Sequence, residues 1–113
     1  MMKVDIKTLE AYLYDRYGSW AREEGLFLKL VEEMGEAAEI INMRSGAKKS
    51  NGEDLGAALG RELADIIHYT VAIAAINGID LEEVIIEKDK VASKKYNHDI
   101  NYTIFAEGLS EKK

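Results

Sequence analysis

No proline interrupts the 113 residues of this chain, and its apolar residues recur three and four positions apart over long stretches. This spacing places apolar side chains on one side of an α-helix, and the lack of proline removes the strongest helix breaker. The sequence therefore predicts an all-α fold, a helical bundle of four main helices.

Capping residues set the limits of the predicted helices. Asp5, Asp54 and Asp80 each stand before an amphipathic run, where a short acidic side chain can accept hydrogen bonds from the first turn. Gly18 and Gly78 follow such runs, as glycine commonly does at the carboxyl ends of helices. The predicted helices cover residues 5–17, about 20–44, about 54–77 and 80–96.

The chain is predicted to contain one domain and a tail. Residues 1–96 form the helical domain, with a polar loop at 48–52. Residues 97–113 are a C-terminal tail whose order is left undecided. A domain of this size buries a modest core, so we expect oligomerisation to complete it.

Charge and composition exclude several classes of function. Asp and Glu number 21 against 15 Lys and Arg, a net charge of −6, which disfavours binding to a nucleic-acid polymer. The absence of cysteine excludes disulfides, thiolate nucleophiles and zinc–sulfur sites. The longest apolar run is shorter than the roughly 20 residues that cross a bilayer, so we expect no membrane association and a cytoplasmic protein.

The second predicted helix carries an apolar arc with acidic residues beside it. Glu33 borders the arc, and Glu36 lies three positions further along, so that both carboxylates can reach one point. Glu32 points outward. We expect the arc to lie in the core, and its members are Leu26, Phe27, Leu30, Val31, Met34, Ala37, Ala38 and Ile41.

The third predicted helix places a carboxylate where an apolar side chain is expected. Glu62 lies inside the apolar arc, with Ile66 on one side and Tyr69 on the other, and Asp65 stands one turn along the same edge. If the acids of both helices converge, two charges ~4 Å apart repel by roughly 4 kcal/mol at an effective dielectric constant of 20. Only a polyvalent cation or shared protons would stabilise that arrangement.

The ligand type indicates which ion would bind. Carboxylates that leave positions for water and phosphate suit Mg²⁺, with Mn²⁺ as a substitute, and phosphoryl transfer is the usual chemistry of such sites. On the fourth predicted helix Lys88 and Lys95 fall on the inward arc, where they could meet phosphate or the acids. Alternatively, their stems lie along apolar surface and their ammonium groups reach solvent.

Two short motifs carry a resemblance to a known family. Glu32-Glu33-Met34-Gly35-Glu36 and Glu62-Leu63-Ala64-Asp65 resemble the EExxE and ExxD signatures of the MazG-like all-α nucleoside-triphosphate pyrophosphohydrolases, and the likeness covers about residues 20–96. The resemblance implies a homodimer or homotetramer. It also implies Mg²⁺-dependent cleavage of the α–β phosphate bond of a nucleoside triphosphate to a monophosphate and pyrophosphate, with nucleotide house-cleaning as a physiological duty.

The resemblance also implies roles for individual residues. The implied metal ligands are Glu33, Glu36, Glu62 and Asp65, the implied catalytic residues are Glu32 and Glu33, and the implied substrate contacts are Lys88, Lys95 and Tyr96. Some relatives have an asparagine where this chain has Ala92, so recognition of the base or sugar is not implied.

Two further residues have alternative interpretations. Trp20 could stack on a nucleobase, or it could anchor packing at the start of the second helix. His68, three residues after Asp65, could bind a metal as in di-iron bundles, but the second helix offers no matching histidine, so a structural role or a partner contact is favoured.

Two other functions compete with nucleoside-triphosphate hydrolysis. Phosphoribosyl-ATP pyrophosphohydrolases are helical relatives with similar paired acidic motifs. A non-catalytic helical interaction module could instead use its acids to bind a partner's basic surface, and such a module would not be stabilised by Mg²⁺.

Overall fold

The computed structural model describes residues 2–46 and 54–111, and within these ranges every regular element is a helix. The all-α prediction is confirmed. The predicted loop at 48–52 lies outside the described residues. The helices are α1 (Ile6–Tyr17), α2 (Glu23–Arg44), α3 (Leu55–Ile76), α4 (Leu81–Lys95) and α5 (Tyr102–Glu111).

The capping predictions are also confirmed. Asp5 accepts a hydrogen bond from the Thr8 amide at 2.7 Å. Asp54 and Asp80 do the same for the amides three residues further on, each at 3.1 Å. After the end of α3, Gly78 has a φ of +66°, a left-handed conformation that glycine adopts without strain.

The chain forms two compact units, Met1–Ile79 and Asp80–Lys113, here called the N-terminal and C-terminal units. In the N-terminal unit α3 packs against both α1 and α2. Small apolar residues of α3 allow this close packing. The buried ones include Val71, Ala72, Ala74 and Ala75. A hydrogen bond of 2.9 Å from the Asn77 amide to Glu23 joins the end of α3 to the start of α2.

The buried side of α2 differs from the predicted arc. Leu26, Glu33, Ala37 and Ile40 are buried. Because the main neighbour of α2 in this unit is α3, only a narrow line along α2 is covered. The expectation that the whole arc lies in the core is therefore wrong: Phe27, Val31, Met34 and Ile41, here called the α2 apolar stripe, are each 49–55% exposed.

The C-terminal unit is a hairpin of α4 and α5. The Asp89 carboxylate accepts a hydrogen bond from the Tyr102 amide at 2.5 Å, and Asn101 caps α5 through the Ile104 amide at 2.9 Å. The predicted C-terminal tail, residues 97–113, thus contains a fifth helix.

The lysines of α4 do not lie on its covered side. Ser93 is buried and Ile86 and Asp89 are half-buried, whereas Lys88 and Lys95 are exposed. The predicted inward placement of these two lysines is wrong, because α4 turns a different line of residues towards its covered side.

The described residues were also searched for membrane-spanning segments. None of the helices formed by residues 2–46 and 54–111 has both the length and the apolar character that crossing a bilayer requires.

Candidate functional site

Glu33 lies at the centre of the acidic cluster. It is only 8% exposed, on the side of α2 that faces α3. Carboxylate oxygens of Glu32, Glu33 and Glu36 lie within 4.8 Å of one another, and so do oxygens of Glu33, Glu62 and Asp65. Glu33 thus belongs to two triads of acids, one on α2 alone and one shared between α2 and α3.

Helix geometry explains why the triads meet. Glu33 and Glu36 are three positions apart on α2, as are Glu62 and Asp65 on α3, so each pair occupies one edge of its helix. The packing of α2 on α3 brings these two edges together. The structure therefore brings Glu62 and Asp65 close to Glu33, the approach on which the sequence-based hypothesis depends.

Glu62 is electrostatically the most perturbed of these acids. Its Oε2 atom is buried and has no hydrogen-bond partner among the described residues. When protonated, the Glu62 carboxyl can donate a hydrogen bond to Glu33, which raises the pKa of Glu62 to about 7. Lost hydration and then hydrogen bonding to Glu36 and the charge of Glu36 also raise this pKa. Carboxylates accept hydrogen bonds and donate one only when protonated, so in this cluster Glu62 must hold a proton or meet a cation.

This arrangement fits a hard divalent cation. The donor set consists of oxygens only, drawn from two rigid helices, and includes a buried oxygen that has no donor. Such oxygens are the ligands that Mg²⁺ and Mn²⁺ prefer. A divalent ion would neutralise the repulsion and satisfy the Glu62 oxygen at the same time.

A lysine that the sequence analysis did not single out stands beside the cluster. The Lys29 ammonium group lies 3.2 Å from Glu32 Oε2. The hydrogen bond to Glu32 and the charge of Glu32 raise the pKa of Lys29, and the charge of Glu33 makes a smaller contribution. The i, i+3 spacing of Lys29 and Glu32 is a sequence signal that could have found this pair.

The other predicted substrate residues share one surface of the C-terminal unit. Lys88, Lys95 and Tyr96 line an open depression of about 480 Å³ on α4, together with Ala92. The Lys95 ammonium group lies 5.5 Å from the centre of the Tyr96 ring. These three predicted substrate contacts are therefore neighbours of one another, on a different unit from the acids.

Trp20 and His68 occupy one aromatic cluster at the end of α1. His68 Nε2 lies 2.8 Å from the Tyr17 hydroxyl, which supports the structural interpretation of His68. Burial, followed by the charge of Arg16, lowers the pKa of His68. Trp20 lies against Tyr17 but is 68% exposed, which does not fit a packing anchor.

Comparison with known proteins identifies the family. The MazG nucleotide pyrophosphohydrolase domain matches residues 21–98. The chain belongs to the MazG family. The crystal structure of iMazG from Vibrio DAT 722 is similar, with a TM-score of 0.63 and 29% sequence identity over 84% of this chain and 100% of iMazG.

Two curated relatives of this MazG-family chain carry the name dCTP pyrophosphatase 1. The rat protein is 33% identical and the mouse protein 32% identical, each over 97 residues, or 81% of this chain. The chain spans 57% of the length of each. The MazG match includes both acidic motifs and α4 but not α1 or α5.

Proposed function

We propose that this chain hydrolyses nucleoside triphosphates to nucleoside monophosphates and pyrophosphate, with Mg²⁺ bound at the acidic cluster. The observation that carries the proposal is the meeting of two carboxylate triads at the buried Glu33, beside a Glu62 oxygen that has no donor. Membership of the MazG nucleotide pyrophosphohydrolase family supports the same activity.

The proposed metal ligands are Glu33, Glu36, Glu62 and Asp65. When bound, Mg²⁺ would neutralise phosphate oxygens and lower the pKa of water. The chain's own contribution is to hold these carboxylates on two packed helices. The Glu23–Asn77 hydrogen bond fixes the start of α2 to the end of α3, so that little reorganisation accompanies binding.

Glu32 is the proposed general base, with Glu33 as the second catalytic residue. Glu32 is exposed and within 4.8 Å of Glu33 and Glu36, so it can reach a water molecule at the edge of the cluster. Its ion pair with Lys29 is also exposed, and such pairs are weak, which leaves Glu32 free to accept a proton. Lys29 would then be close to the phosphates.

Four residues are proposed to bind substrate. Lys88, Lys95 and Tyr96 would bind phosphate oxygens, which their shared exposure on α4 supports, since exposed lysines can reach a ligand. Trp20 would stack on the base. The curated relatives are named for dCTP, so we include dCTP first among the nucleotides to be tested.

A product assay tests the proposed activity. We expect a panel of nucleoside triphosphates with Mg²⁺ to yield pyrophosphate and monophosphate in equal amounts, with no orthophosphate. Activity should be lost with a chelator and restored by Mg²⁺ or Mn²⁺. Preferential turnover of phosphoribosyl-ATP would instead identify that activity, and no Mg²⁺-dependent turnover of any of these would leave the interaction-module interpretation.

Homo-oligomerisation is also proposed, on the basis of the α2 apolar stripe. The members of the stripe, Phe27, Val31, Met34 and Ile41, are each about half exposed along one helix. Contiguous apolar surface of this kind is typical of protein interfaces. A second copy of the chain, as a dimer or tetramer, is the proposed occupant.

Met34→Glu should convert the oligomer to monomers, because a charge buried in an apolar interface has no partner. Sedimentation velocity measures the change. Gly25→Glu is the control: it adds the same charge to another side of α2, where a side chain meets nothing within 4 Å. An unchanged mass for Met34→Glu would show that the stripe is not the interface.

A further inference from the structure

A partly buried hydrogen bond connects the end of α1 to the helix that carries Glu62 and Asp65. The Tyr17 hydroxyl lies 2.8 Å from His68 Nε2, and Tyr17 is only 6% exposed. His68 follows Asp65 by one helical turn on α3. Neither acidic triad includes Tyr17 or His68, so the proposed function leaves this bond without a role.

The same tyrosine supports an exposed tryptophan. Trp20 donates a hydrogen bond from its indole Nε1 to the Arg16 carbonyl oxygen at 2.8 Å, and its ring centre lies 5.6 Å from that of Tyr17 at an angle of 53°. Two contacts thus fix the indole while 68% of the residue stays open to solvent. An aromatic ring held in this way can stack on a planar ligand with little loss of side-chain entropy.

Tyr17 is itself held on several sides. The His68 ring meets it edge-on, with ring centres 5.6 Å apart, and the Arg16 guanidinium group lies 5.4 Å from its ring centre. On α3 the His68 ring also packs edge-on against Tyr69 at 4.9 Å. A change at the Tyr17–His68 bond would therefore be transmitted directly to Trp20.

We propose that Tyr17 and His68 are positioning residues that set the place of Trp20 relative to the acidic cluster, so that a nucleobase stacks on Trp20 while its triphosphate lies at the acids. This inference rests on the proposed function. The contact path runs one helical turn from Asp65 to His68 and then through two ring contacts, each of 5.6 Å. The ligand selected would be a nucleoside triphosphate in preference to inorganic triphosphate.

Fluorescence tests the binding step without turnover, because Trp20 is the only tryptophan in the chain. An α,β-imido nucleoside triphosphate with Mg²⁺ should quench Trp20 emission, and inorganic triphosphate should not. Tyr17→Phe and His68→Leu should each raise the Kd of the nucleotide, measured by this titration, about three- to tenfold, the effect of losing one hydrogen bond. Binding of inorganic triphosphate, measured by calorimetry, should be unchanged.

Steady-state kinetics give the second readout. Tyr17→Phe and His68→Leu should each raise KM for the nucleotide by the same factor as they raise its Kd, and leave kcat nearly unchanged. The double variant should be no worse than either single one, since both remove the same bond. His68→Gln, which keeps an acceptor for the tyrosine hydroxyl, should restore KM, and Tyr14→Phe, at an exposed tyrosine of α1, is the control.

The outcomes separate the positioning role from the proposed function. Unchanged KM and quenching in Tyr17→Phe and His68→Leu would overturn the positioning role even if pyrophosphate is released normally. Equal weakening of inorganic triphosphate binding would also overturn it, because the defect would then lie in the acidic site or the fold. Base-dependent quenching by a chain that hydrolyses no nucleotide would refute the activity and retain the positioning role.

Discussion

Glu62→Gln is expected to reduce Mg²⁺-dependent pyrophosphate release by at least about a hundredfold. Mutating groups that only orient metal ligands typically costs about 10–100-fold, so replacing a ligand itself should cost at least as much. Glutamine has nearly the same shape as Glu62 but cannot supply the second carboxylate oxygen to the cluster. Pyrophosphate release from a nucleoside triphosphate, followed over a range of Mg²⁺ concentrations, measures the loss.

The fold of the Glu62→Gln variant should survive. The buried Oε2 of Glu62 has no hydrogen-bond partner among the described residues, so a neutral group that can donate a hydrogen bond in its place removes repulsion from Glu33 and Glu36. Circular dichroism should therefore show wild-type helix content. Glu24→Gln, on the exposed first turn of α2 and outside both triads, is the matched control and should keep its activity. Full turnover by a folded Glu62→Gln chain would remove Glu62 from the proposed mechanism.

The sequence predicted those features of the fold that depend on neighbouring residues. Asp5, Asp54 and Asp80 cap their helices because each side chain meets an amide only three residues away. The meeting of Glu33 with Glu62 was also predictable, since an acid inside an apolar arc requires a cation or a proton, and acids on a facing helix edge can share either one. These inferences need only helix geometry and the cost of burying charge.

Which apolar side of a helix becomes core could not be read from periodicity. Met34 and Val31 of α2 belong to the same arc as Leu26, yet Leu26 is buried and the other two are about half exposed. Periodicity reports an apolar surface, and the position of the neighbouring helix decides which part of it is covered. Lys88 and Lys95 of α4 were misplaced for the same reason.

The Tyr17–His68 bond had no signal in the sequence. Its partners are 51 residues apart, and no local pattern pairs a tyrosine with a histidine at that separation. The exposure of Trp20 follows from that tertiary contact, because Tyr17 occupies the buried position beside it. Long-range side-chain contacts of this kind become visible only once the packing of α1 on α3 is known.

Mg²⁺ is expected to stabilise the chain strongly at pH 8 and only weakly at pH 5. At pH 8 Glu62 is ionised and available as a ligand, whereas at pH 5 it holds a proton that the ion must displace, because its pKa in the metal-free fold is about 7. Mg²⁺ at a hundred times its Kd adds about 2.7 kcal/mol to the free energy of unfolding. For a domain of this size that corresponds to a rise in Tm of roughly 10 °C, measurable by circular dichroism.

Without metal, the contribution of Glu62 to stability should fall as pH rises. The pKa of Glu62 increases from its ordinary value of 4.5 to about 7 on folding, so between these values the folded chain binds a proton that the unfolded chain has released. Stability from this group is therefore complete below pH 4.5 and lost as pH approaches and passes 7. His68 has the opposite sign, since its lowered pKa costs stability as pH falls below its ordinary value of 6.5.

Glu62→Gln separates these two contributions. In the variant, stability should no longer show the fall with rising pH that Glu62 produces, but should keep the increase with rising pH that His68 produces. Mg²⁺ should stabilise the variant only slightly at pH 8. Glu24→Gln should behave like the parent chain in all three measurements. An equal Mg²⁺ shift at pH 5 and pH 8, or a full shift in Glu62→Gln, would mean that the ion binds elsewhere. The acids of α2 and α3 would then be held together by shared protons, which is the other arrangement that can stabilise carboxylates this close.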